Sequence, residues 1–288
     1  RQVCGDNLRG AVGSVHQDMH GAEGADMAMY VSHPLPSAGT SFPVVIVAQE
    51  AFGVNDHIQK VCDQYAAEGY VAVAPVLYWR EHPNPQLGYS EEDMQIAINR
   101  YMAALDDDQL VEDIDQVVRW TQGDQFRRTN GQKIGIVGYC VGGRIAYLAA
   151  TRCQGLSAAS VYYGGRILAP FGDGPAPIDI TNQIQIPVMG NFGGQDQNPT
   201  PDDVATIEAK LKECGVTYDF KMYDDAGHGF NCNDRASYNE AAATDAFSRT
   251  VGWFNKYFKE NKSQMVIKNS GPYWARCFVY SSVKLTLW

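Results

Sequence analysis

Hydrophobic residues along the chain alternate between short continuous runs and longer stretches with helical spacing. The continuous runs at residues 43–49 and 70–76 are rich in Val and Ala, a pattern typical of strands that are covered on both faces. Between them, residues 56–69 carry apolar side chains at intervals of three and four, which predicts a helix that ends at Gly69. The first half of the chain therefore begins with a strand, a helix and a second strand.

The same alternation continues to residue 258. Thr200, Pro201 and the two aspartates that follow have the composition of a helix start, with a capping hydroxyl, a proline in the first turn and acidic groups that favour the helix dipole. The remaining strands are predicted at 133–139, 158–163, 187–192 and 217–223, and the remaining helices at 90–102, 110–120, 142–152, 200–214 and 237–258. Such alternation predicts an α/β fold with a mostly parallel central sheet and helices on both faces.

No segment between residues 43 and 258 has the composition of a linker, so we expect a single domain that covers residues 1–262. Residues 11–33 are predicted to add an antiparallel hairpin at the sheet edge. Residues 263–288 form a C-terminal extension of unknown role, which lacks acidic residues and is rich in aromatic ones. Three explanations stay open for this extension: added edge strands, an arm that reaches another subunit, or a peculiarity of this polypeptide.

The composition narrows the classes of function. The chain has 288 residues, 45% of them hydrophobic, and a formal net charge of −10. These values are typical of a globular protein and argue against a general nucleic-acid binder, because phosphate binding needs clustered Lys and Arg. The sequence contains no apolar run long enough to span a membrane and no signal-peptide pattern. We expect a cytoplasmic monomer or homodimer, although a leader removed from before Arg1 stays open.

The seven cysteines are odd in number, irregularly spaced and without a CxxC pair. This pattern argues against a disulfide framework or a structural zinc site and predicts reduced thiols. His16 and His20 lie four residues apart but have no further metal ligands in the pattern around them. We therefore expect no metal and no other cofactor.

The candidate nucleophile lies in one glycine-rich turn. Residues 138–143 read Gly-Tyr-Cys-Val-Gly-Gly and lie where a predicted strand meets an Ala-rich helix. This is the G-x-nucleophile-x-G elbow with Cys140 in the nucleophile position, and its glycines are needed because side chains there would collide with the sharply turned backbone. The turn also aims Cys140 at a helix N-terminus, where the free N–H groups favour the thiolate form.

A nucleophilic cysteine in this fold needs a base and an acid, and the chain order is nucleophile, acid, histidine. His228 is the histidine that follows Cys140, and it lies in a glycine-flanked loop after a predicted strand. Asp196 follows the preceding strand, at the carboxyl edge of the sheet, and is the best candidate to orient His228. The sequence therefore predicts a Cys140–Asp196–His228 triad.

Glu50 follows the first predicted strand directly, which places a carboxylate at the same edge of the sheet. The backbone N–H groups of Ala51, after this strand, and of Val141, after the nucleophile, are placed to form an oxyanion hole. Glu50 is either a fourth titratable group of the site or an ordinary carboxylate at its rim.

Five ordered motifs carry a resemblance to a known family: QEAFG at 49–53, PVLYWR at 75–80, VGYCVGG at 137–143, GGQD at 193–196 and AGHGF at 226–230. Together they resemble the dienelactone hydrolases, the carboxymethylenebutenolidase family of α/β-hydrolases, over about residues 10–258. The resemblance implies an α/β-hydrolase fold and supports the triad. It further implies that Glu50 takes the proton of the Cys140 thiol when substrate arrives.

The resemblance also implies how substrate binds. Arg80 matches an arginine that binds the substrate carboxylate, and Phe52 and Tyr139 are expected to contact the substrate. The family's second substrate-binding arginine is replaced here by Cys232, and Arg235, three residues later, is the candidate substitute.

The predicted function is hydrolysis of an ester or lactone through an acyl-enzyme on Cys140, with a dienelactone that yields maleylacetate as the specific substrate and the degradation of aromatic compounds as the setting. Two alternatives stay open. One is a general carboxylesterase without dienelactone preference. The other is a thiol-redox protein that uses Cys140, although the sequence offers no obvious resolving cysteine.

Overall fold

The computed structural model describes residues 18–20, 26–35, 39, 41–123, 126–129, 131–258 and 274–279. The strands in these ranges are β1 (Asp18–His20), β2 (Asp26–Pro34), β3 (Val44–Ala48), β4 (Val71–Pro75), β5 (Ile134–Tyr139), β6 (Leu156–Tyr162), β7 (Val188–Gly193), β8 (Tyr218–Tyr223) and β9 (Trp274–Val279). The α-helices are α1 (Asp56–Ala67), α2 (Glu91–Ile96), α3 (Asp107–Gln122), α4 (Val141–Arg152), α5 (Pro201–Glu213) and α6 (Glu240–Phe258).

The strands form one sheet in the order β1-β2-β4-β3-β5-β6-β7-β8, with β9 also paired to β2. The pairs from β4 through β8 are parallel, whereas β2 is antiparallel to its neighbours. Because the parallel strands end at one edge, the residues that follow β3, β5, β7 and β8 lie on the same side of the molecule. This arrangement confirms the predicted α/β fold.

The two faces of the sheet carry separate cores. Strand β3 shows the division, because Val44 and Ile46 belong to one core cluster and Val45 and Val47 to the other. The first cluster packs against α3, α4 and α5, and the second against α1 and α6. All five residues of β3 are buried, which explains why its sequence is continuously apolar rather than alternating.

The helix predicted at residues 90–102 is less regular than its pattern indicates. Ser90 caps α2 as predicted, but the α-helix ends at Ile96 and continues as a π turn, Ala97–Tyr101, and a short 3-10 turn. The wider turn changes the helical register, so that Ile98 is 45% exposed although it was expected on the apolar face. Tyr101 is buried there and stacks on Tyr78, with ring centroids 5.1 Å apart.

The predicted N-terminal hairpin is present as β1 and β2, which pair in antiparallel register. Its second strand also lies between β4 and β9, so it is more deeply integrated in the sheet than an edge strand. Within the extension, residues 274–279 form β9, which agrees with the added-strand explanation; the rest of residues 263–288 lies outside the described residues. Among the described helices, none is both long and apolar enough to cross a bilayer.

Candidate active site

Cys140 lies at a sharp turn between β5 and α4. Its φ of 59° and ψ of −123° lie outside the regions that a non-glycine residue normally occupies, so the backbone is strained at this position. A side chain on Gly138 would place its Cβ 1.8 Å from the Gly142 carbonyl oxygen, and one on Gly142 would lie 2.2 Å from the oxygen of Ala48. The predicted requirement for glycine on both sides of Cys140 is confirmed.

His228 and Asp196 meet at the carboxyl edge of the sheet, on the loops after β8 and β7. The distance from His228 Nδ1 to Asp196 Oδ2 is 2.9 Å, and Asp196 is only 1% exposed. The second oxygen of Asp196 accepts a hydrogen bond of 2.8 Å from the backbone N–H of Asn198, which fixes the carboxylate in place. With Nδ1 directed at Asp196, Nε2 is the nitrogen left to act on a neighbouring group.

That neighbouring group is the sulfur of Cys140, which lies close enough to His228 to change the pKa of its imidazole. Burial by itself lowers the pKa of His228, but the Cys140 sulfur and the Asp196 carboxylate act in the opposite direction and raise this pKa to about 10. The structure therefore brings together the three side chains of the predicted triad, and it favours a positively charged imidazole beside the sulfur.

Glu50 follows β3 and is fully buried. Its Oε1 accepts a hydrogen bond of 3.2 Å from the hydroxyl of Tyr163, whereas its Oε2 has no hydrogen-bond partner in the described part of the chain. The ring of Tyr163 also packs edge-on against the ring of His228, with centroids 5.2 Å apart. Glu50 is thus linked to the histidine through Tyr163, and it is a buried group rather than a carboxylate at the rim.

Tyr163 was not identified from the sequence. It follows β6 directly and has a φ of 37°, which is unusual for a residue with a side chain. The signal available in the sequence was the Tyr-Gly-Gly segment at residues 163–165, after a buried strand and at the same edge as the other groups. A glycine pair after a strand is too common to single out one tyrosine.

The predicted oxyanion hole lies where the end of β3 packs against the start of α4. Val141 is the first residue of α4, so its N–H has no acceptor within the helix. The close approach of Gly142 to the carbonyl oxygens of Ala48 and Gln49 shows that the two segments are in contact, with Ala51 two residues further along. The two predicted donors therefore come from adjoining backbone segments.

Arg80 pairs with Asp113. Its two terminal nitrogens donate to the two carboxylate oxygens at 2.7 and 3.0 Å, and its guanidinium stacks on the ring of Trp79. Asp113 is fully buried, which makes this pair part of the packing between α3 and the segment after β4. The carboxylate-binding role predicted for Arg80 stays a prediction, and the position is already occupied by a carboxylate of the protein.

Tyr139 is a core residue. It is 1% exposed, its hydroxyl bonds to that of Tyr65 at 3.1 Å, and its ring packs on Tyr162. These contacts make Tyr139 part of the packing on one face of the sheet. The substrate contact that the family resemblance implies for Tyr139 stays a prediction.

Arg235, in contrast, returns to the site. Its guanidinium lies over the rings of Phe52 and Tyr89, at 5.6 and 5.8 Å, and is so close to Gly229 that a side chain there would collide with it. Phe52, one of the predicted substrate contacts, is buried two residues after Glu50. The structure thus places the candidate substitute arginine next to the segments that carry Glu50 and His228.

A further convergence concerns groups that could hold a metal ion. The potential ligand atoms of Glu50, His57 and Cys232 all lie within 4.8 Å of one another, and all three residues are buried. They come from the end of β3, the first turn of α1 and the loop after His228. Neither His57 nor Cys232 was predicted as a ligand from the sequence.

Comparisons with known proteins agree with this geometry. The family model described as the dienelactone hydrolase family matches residues 27–258. The chain is 37% identical over 241 residues to a Salmonella typhimurium protein named "Putative carboxymethylenebutenolidase", covering 82% of this chain and 85% of the relative. It is 28% identical over 233 residues to a Bradyrhizobium protein named "Probable 2-oxo-3-(5-oxofuran-2-ylidene)propanoate lactonase", covering 80% and 90%.

A solved structure is also similar. The crystal structure titled as that of a "Putative Dienelactone Hydrolase" from Klebsiella pneumoniae superimposes with a TM-score of 0.76 at 32% identity, and the match covers 86% of this chain and all of that one. The fold, the elbow and the family match lead to the same conclusion, which confirms the resemblance seen in the sequence motifs. This chain belongs to the dienelactone hydrolase family of α/β-hydrolases.

Proposed function

We propose that the protein hydrolyses an ester or lactone through a covalent acyl-enzyme on Cys140. The observation that carries this proposal is the position of His228, hydrogen-bonded to Asp196 through Nδ1 and in contact with the Cys140 sulfur on its other side. A nucleophile, a base and a group that orients the base are the parts that covalent acyl transfer requires.

In the first step, the Cys140 sulfur attacks the carbonyl carbon of the substrate after losing its proton. Glu50 Oε2 is buried and has no partner, so it is available to take that proton, while Tyr163 holds the other carboxylate oxygen. The negative charge that develops on the carbonyl oxygen is stabilised by the N–H groups of Ala51 and Val141. The carbon–oxygen bond then breaks, and the departing oxygen takes a proton from the His228 imidazolium, which becomes neutral.

In the second step, water releases the acid product. His228, in its neutral form, takes a proton from water, and the hydroxide attacks the thioester on Cys140. Asp196 holds the imidazole in the tautomer whose Nε2 faces the thioester and stabilises the positive charge that it gains. The thiolate leaves and takes back the proton that Glu50 holds, so the site returns to its starting state.

The specific substrate we propose is a dienelactone, which would yield maleylacetate. Support comes from the names of the relatives, which include carboxymethylenebutenolidases and a lactonase. A negatively charged lactone also needs a cation near the site, and Arg235 stacked on Phe52 is placed to provide it.

A second candidate is a general carboxylesterase without dienelactone preference. The observation in its favour is that both terminal nitrogens of Arg80 already bond to Asp113, which leaves this arginine less able to bind a substrate carboxylate. The two candidates use the same nucleophile and differ in the charge of the preferred substrate.

A substrate series separates the two candidates. We expect kcat/KM for a carboxylate-bearing dienelactone to exceed that for neutral esters of equal leaving-group acidity, and Arg235→Ala to reduce the ratio by about tenfold or more. Arg80→Ala is the variant to compare with it, since Arg80 is the other arginine predicted to bind the substrate carboxylate. Equal kcat/KM for both substrates, unchanged in either variant, would identify a general carboxylesterase.

The covalent intermediate is tested with His228→Ala and an activated ester. Acylation of Cys140 should persist while its hydrolysis slows, so mass spectrometry should show the intact protein carrying one acyl group, absent in the Cys140→Ser, His228→Ala double variant. Rapid steady turnover by His228→Ala would contradict the role of His228. A stable sulfenate or disulfide cycle without acyl turnover would indicate thiol-redox chemistry instead.

A further inference from the structure

We propose that Glu50, His57 and Cys232 form a binding site for a divalent transition-metal cation, for which Zn²⁺ is the best match. The three side chains offer a carboxylate oxygen, an imidazole nitrogen and a sulfur, which are the donor types that Zn²⁺ takes in proteins. Nothing in the hydrolytic steps described above uses His57 or Cys232.

The donors already converge. All three potential ligand atoms lie within 4.8 Å of one another, although they come from three separate segments of the chain. Ligand bonds of about 2.0 to 2.3 Å place neighbouring donors of a tetrahedral zinc site with one sulfur about 3.3 to 3.6 Å apart, so the cluster needs to contract by about 1.5 Å at most. Rotation of side chains, without movement of the backbone, is of this size.

Two of the donors have no other function in the packing. Glu50 Oε2 and His57 Nε2 are buried and lack a hydrogen-bond partner among the residues that the structure describes, and the two residues are 0% and 4% exposed. Buried polar atoms without a partner are rare, because removing them from water is unfavourable unless something else replaces the water. Their occurrence side by side, next to a buried thiol, indicates that the cluster is built to hold a ligand.

The charges also fit a divalent cation. The Glu50 carboxylate and a deprotonated Cys232 together carry two negative charges, which a Zn²⁺ ion neutralises, while burial lowers the pKa of His57 and keeps its imidazole neutral despite the nearby Glu50. Two cationic side chains lie near the cluster. The Lys60 ammonium pairs with the Asp234 carboxylate at 3.6 Å, and the Arg235 guanidinium is the second positive charge that acts on His57.

Cys232 must lose its proton when the cation binds. An ordinary thiol has a pKa of about 8.5, so it is mostly protonated at neutral pH in the absence of a cation. A coordinated Zn²⁺ reverses this, because its charge stabilises the thiolate. Binding therefore breaks the S–H bond of Cys232, forms a zinc–sulfur bond and releases one proton to the solvent.

Neighbouring tyrosines hold the ligands in place. Tyr163 donates to Glu50 Oε1 and leaves Oε2 for the metal, and the Tyr89 hydroxyl, which accepts from Asn55 Nδ2 at 3.1 Å, interacts with Cys232. Outer partners of this kind orient metal ligands and strengthen binding. A cation bound here would also occupy Glu50, so it should inhibit hydrolysis; this consequence, unlike binding itself, rests on the function proposed above.

Binding is tested by titrating the full-length Cys140→Ser variant with Zn²⁺ in two buffers of different ionisation enthalpy. The serine removes the catalytic thiol as a competing ligand. We expect stoichiometric binding with release of about one proton. Cys232→Ala and His57→Gln, each added to this background, should weaken Zn²⁺ binding by about a hundredfold or more, and Cys232→Ala should also abolish the proton release.

Cys153→Ala is the matched control, since it removes another unpaired thiol that lies outside the cluster, and its affinity for Zn²⁺ should equal that of the background variant. Thermal unfolding without metal verifies that each variant is folded. Substituting Co²⁺ should give a thiolate-to-cobalt absorption band that Cys232→Ala lacks. Absence of binding to the folded protein, or binding unchanged by both Cys232→Ala and His57→Gln, would overturn the proposal.

Inhibition separates this inference from the proposed function. If Zn²⁺ binds at the cluster and inhibits ester hydrolysis by the protein with Cys140 intact, both statements are supported. If it binds with the stated dependence on Cys232 and His57 but leaves hydrolysis unchanged, the metal site stands and the role given to Glu50 is wrong.

Discussion

Two clusters of buried charged groups lie near the elbow, and they differ in how completely their polar atoms are paired. Arg144, in the first turn of α4, is fully buried and bonds to both carboxylate oxygens of Asp107 at 2.6 and 2.9 Å. Its nitrogens also donate to the carbonyl oxygens of Arg166 and Ala169. Glu50 and His57 are equally buried, but each has an atom without a partner.

This difference separates a cluster that stabilises the fold from a cluster that is still able to bind a ligand or accept a proton. A buried ion pair whose hydrogen bonds are all made fixes the geometry of its surroundings and has no capacity to bind or transfer anything else. The Arg144–Asp107 pair ties the start of α4, which carries the nucleophile, to the start of α3. The Glu50 cluster keeps acceptor and donor capacity at the cost of stability, which is typical of functional sites.

The largest expected effect separates activity from stability at the nucleophile. Cys140→Ala should reduce kcat/KM for an activated ester by at least about a thousandfold, equal to about 4 kcal/mol of transition-state stabilisation. The free energy of unfolding should change by less than about 1 kcal/mol, because the thiol is only half-buried. Steady-state kinetics and urea unfolding measure the two quantities, and activity retained by this variant would refute the assignment of the nucleophile.

The opposite result is expected in the fully paired cluster. Asp107→Ala should lower the free energy of unfolding by about 3–5 kcal/mol, because it leaves the Arg144 charge buried without its partner. Asp108→Ala is the control, since it removes an exposed carboxylate that pairs with Arg152 at 2.7 Å, and should cost less than about 1 kcal/mol. Equal losses in the two variants would show that burial of the pair has no structural importance.

Replacing a carboxylate by an amide should have opposite effects on stability in the two clusters. Glu50→Gln should lower kcat by about a hundredfold, because an amide cannot take the thiol proton, yet leave the protein as stable or more stable. Asp107→Asn should destabilise the protein, since one oxygen that accepts from Arg144 becomes a donor. Chemical unfolding of both variants tests this contrast. A Glu50→Gln protein with a lower free energy of unfolding than the native protein would contradict it.

The smallest effect concerns pH. The folded-state pKa of His228 is raised to about 10, above its ordinary value of 6.5, because contacts with Cys140 and Asp196 outweigh the effect of burial. The stability that the protonated imidazole contributes is therefore fully present below pH 6.5 and is lost as pH rises through about 10. The difference in unfolding free energy between the native protein and His228→Gln should shrink over this range, and a constant difference would contradict the interaction.

Cys140, Asp196 and His228 could be predicted from the sequence because each stands at a position with local markers. A glycine-flanked turn between a strand and a helix, and loops after strands, are visible in a short window. Tyr163, His57 and Cys232 lack such markers, because their roles depend on which distant segments they meet. Arg80 shows the converse: its motif was recognised, but the carboxylate that it binds in the structure, Asp113, lies 33 residues away.

The order of strands and helices, the glycines of the elbow and the chain order of nucleophile, acid and base are properties of the sequence itself, because hydrophobic period and backbone sterics act within a few residues. The tertiary structure decided which buried polar atoms are paired and which are not. Tyr139 became a core residue and Arg235 a neighbour of Phe52 because pairing between side chains depends on the register of elements far apart in the chain, which hydrophobic patterns do not specify.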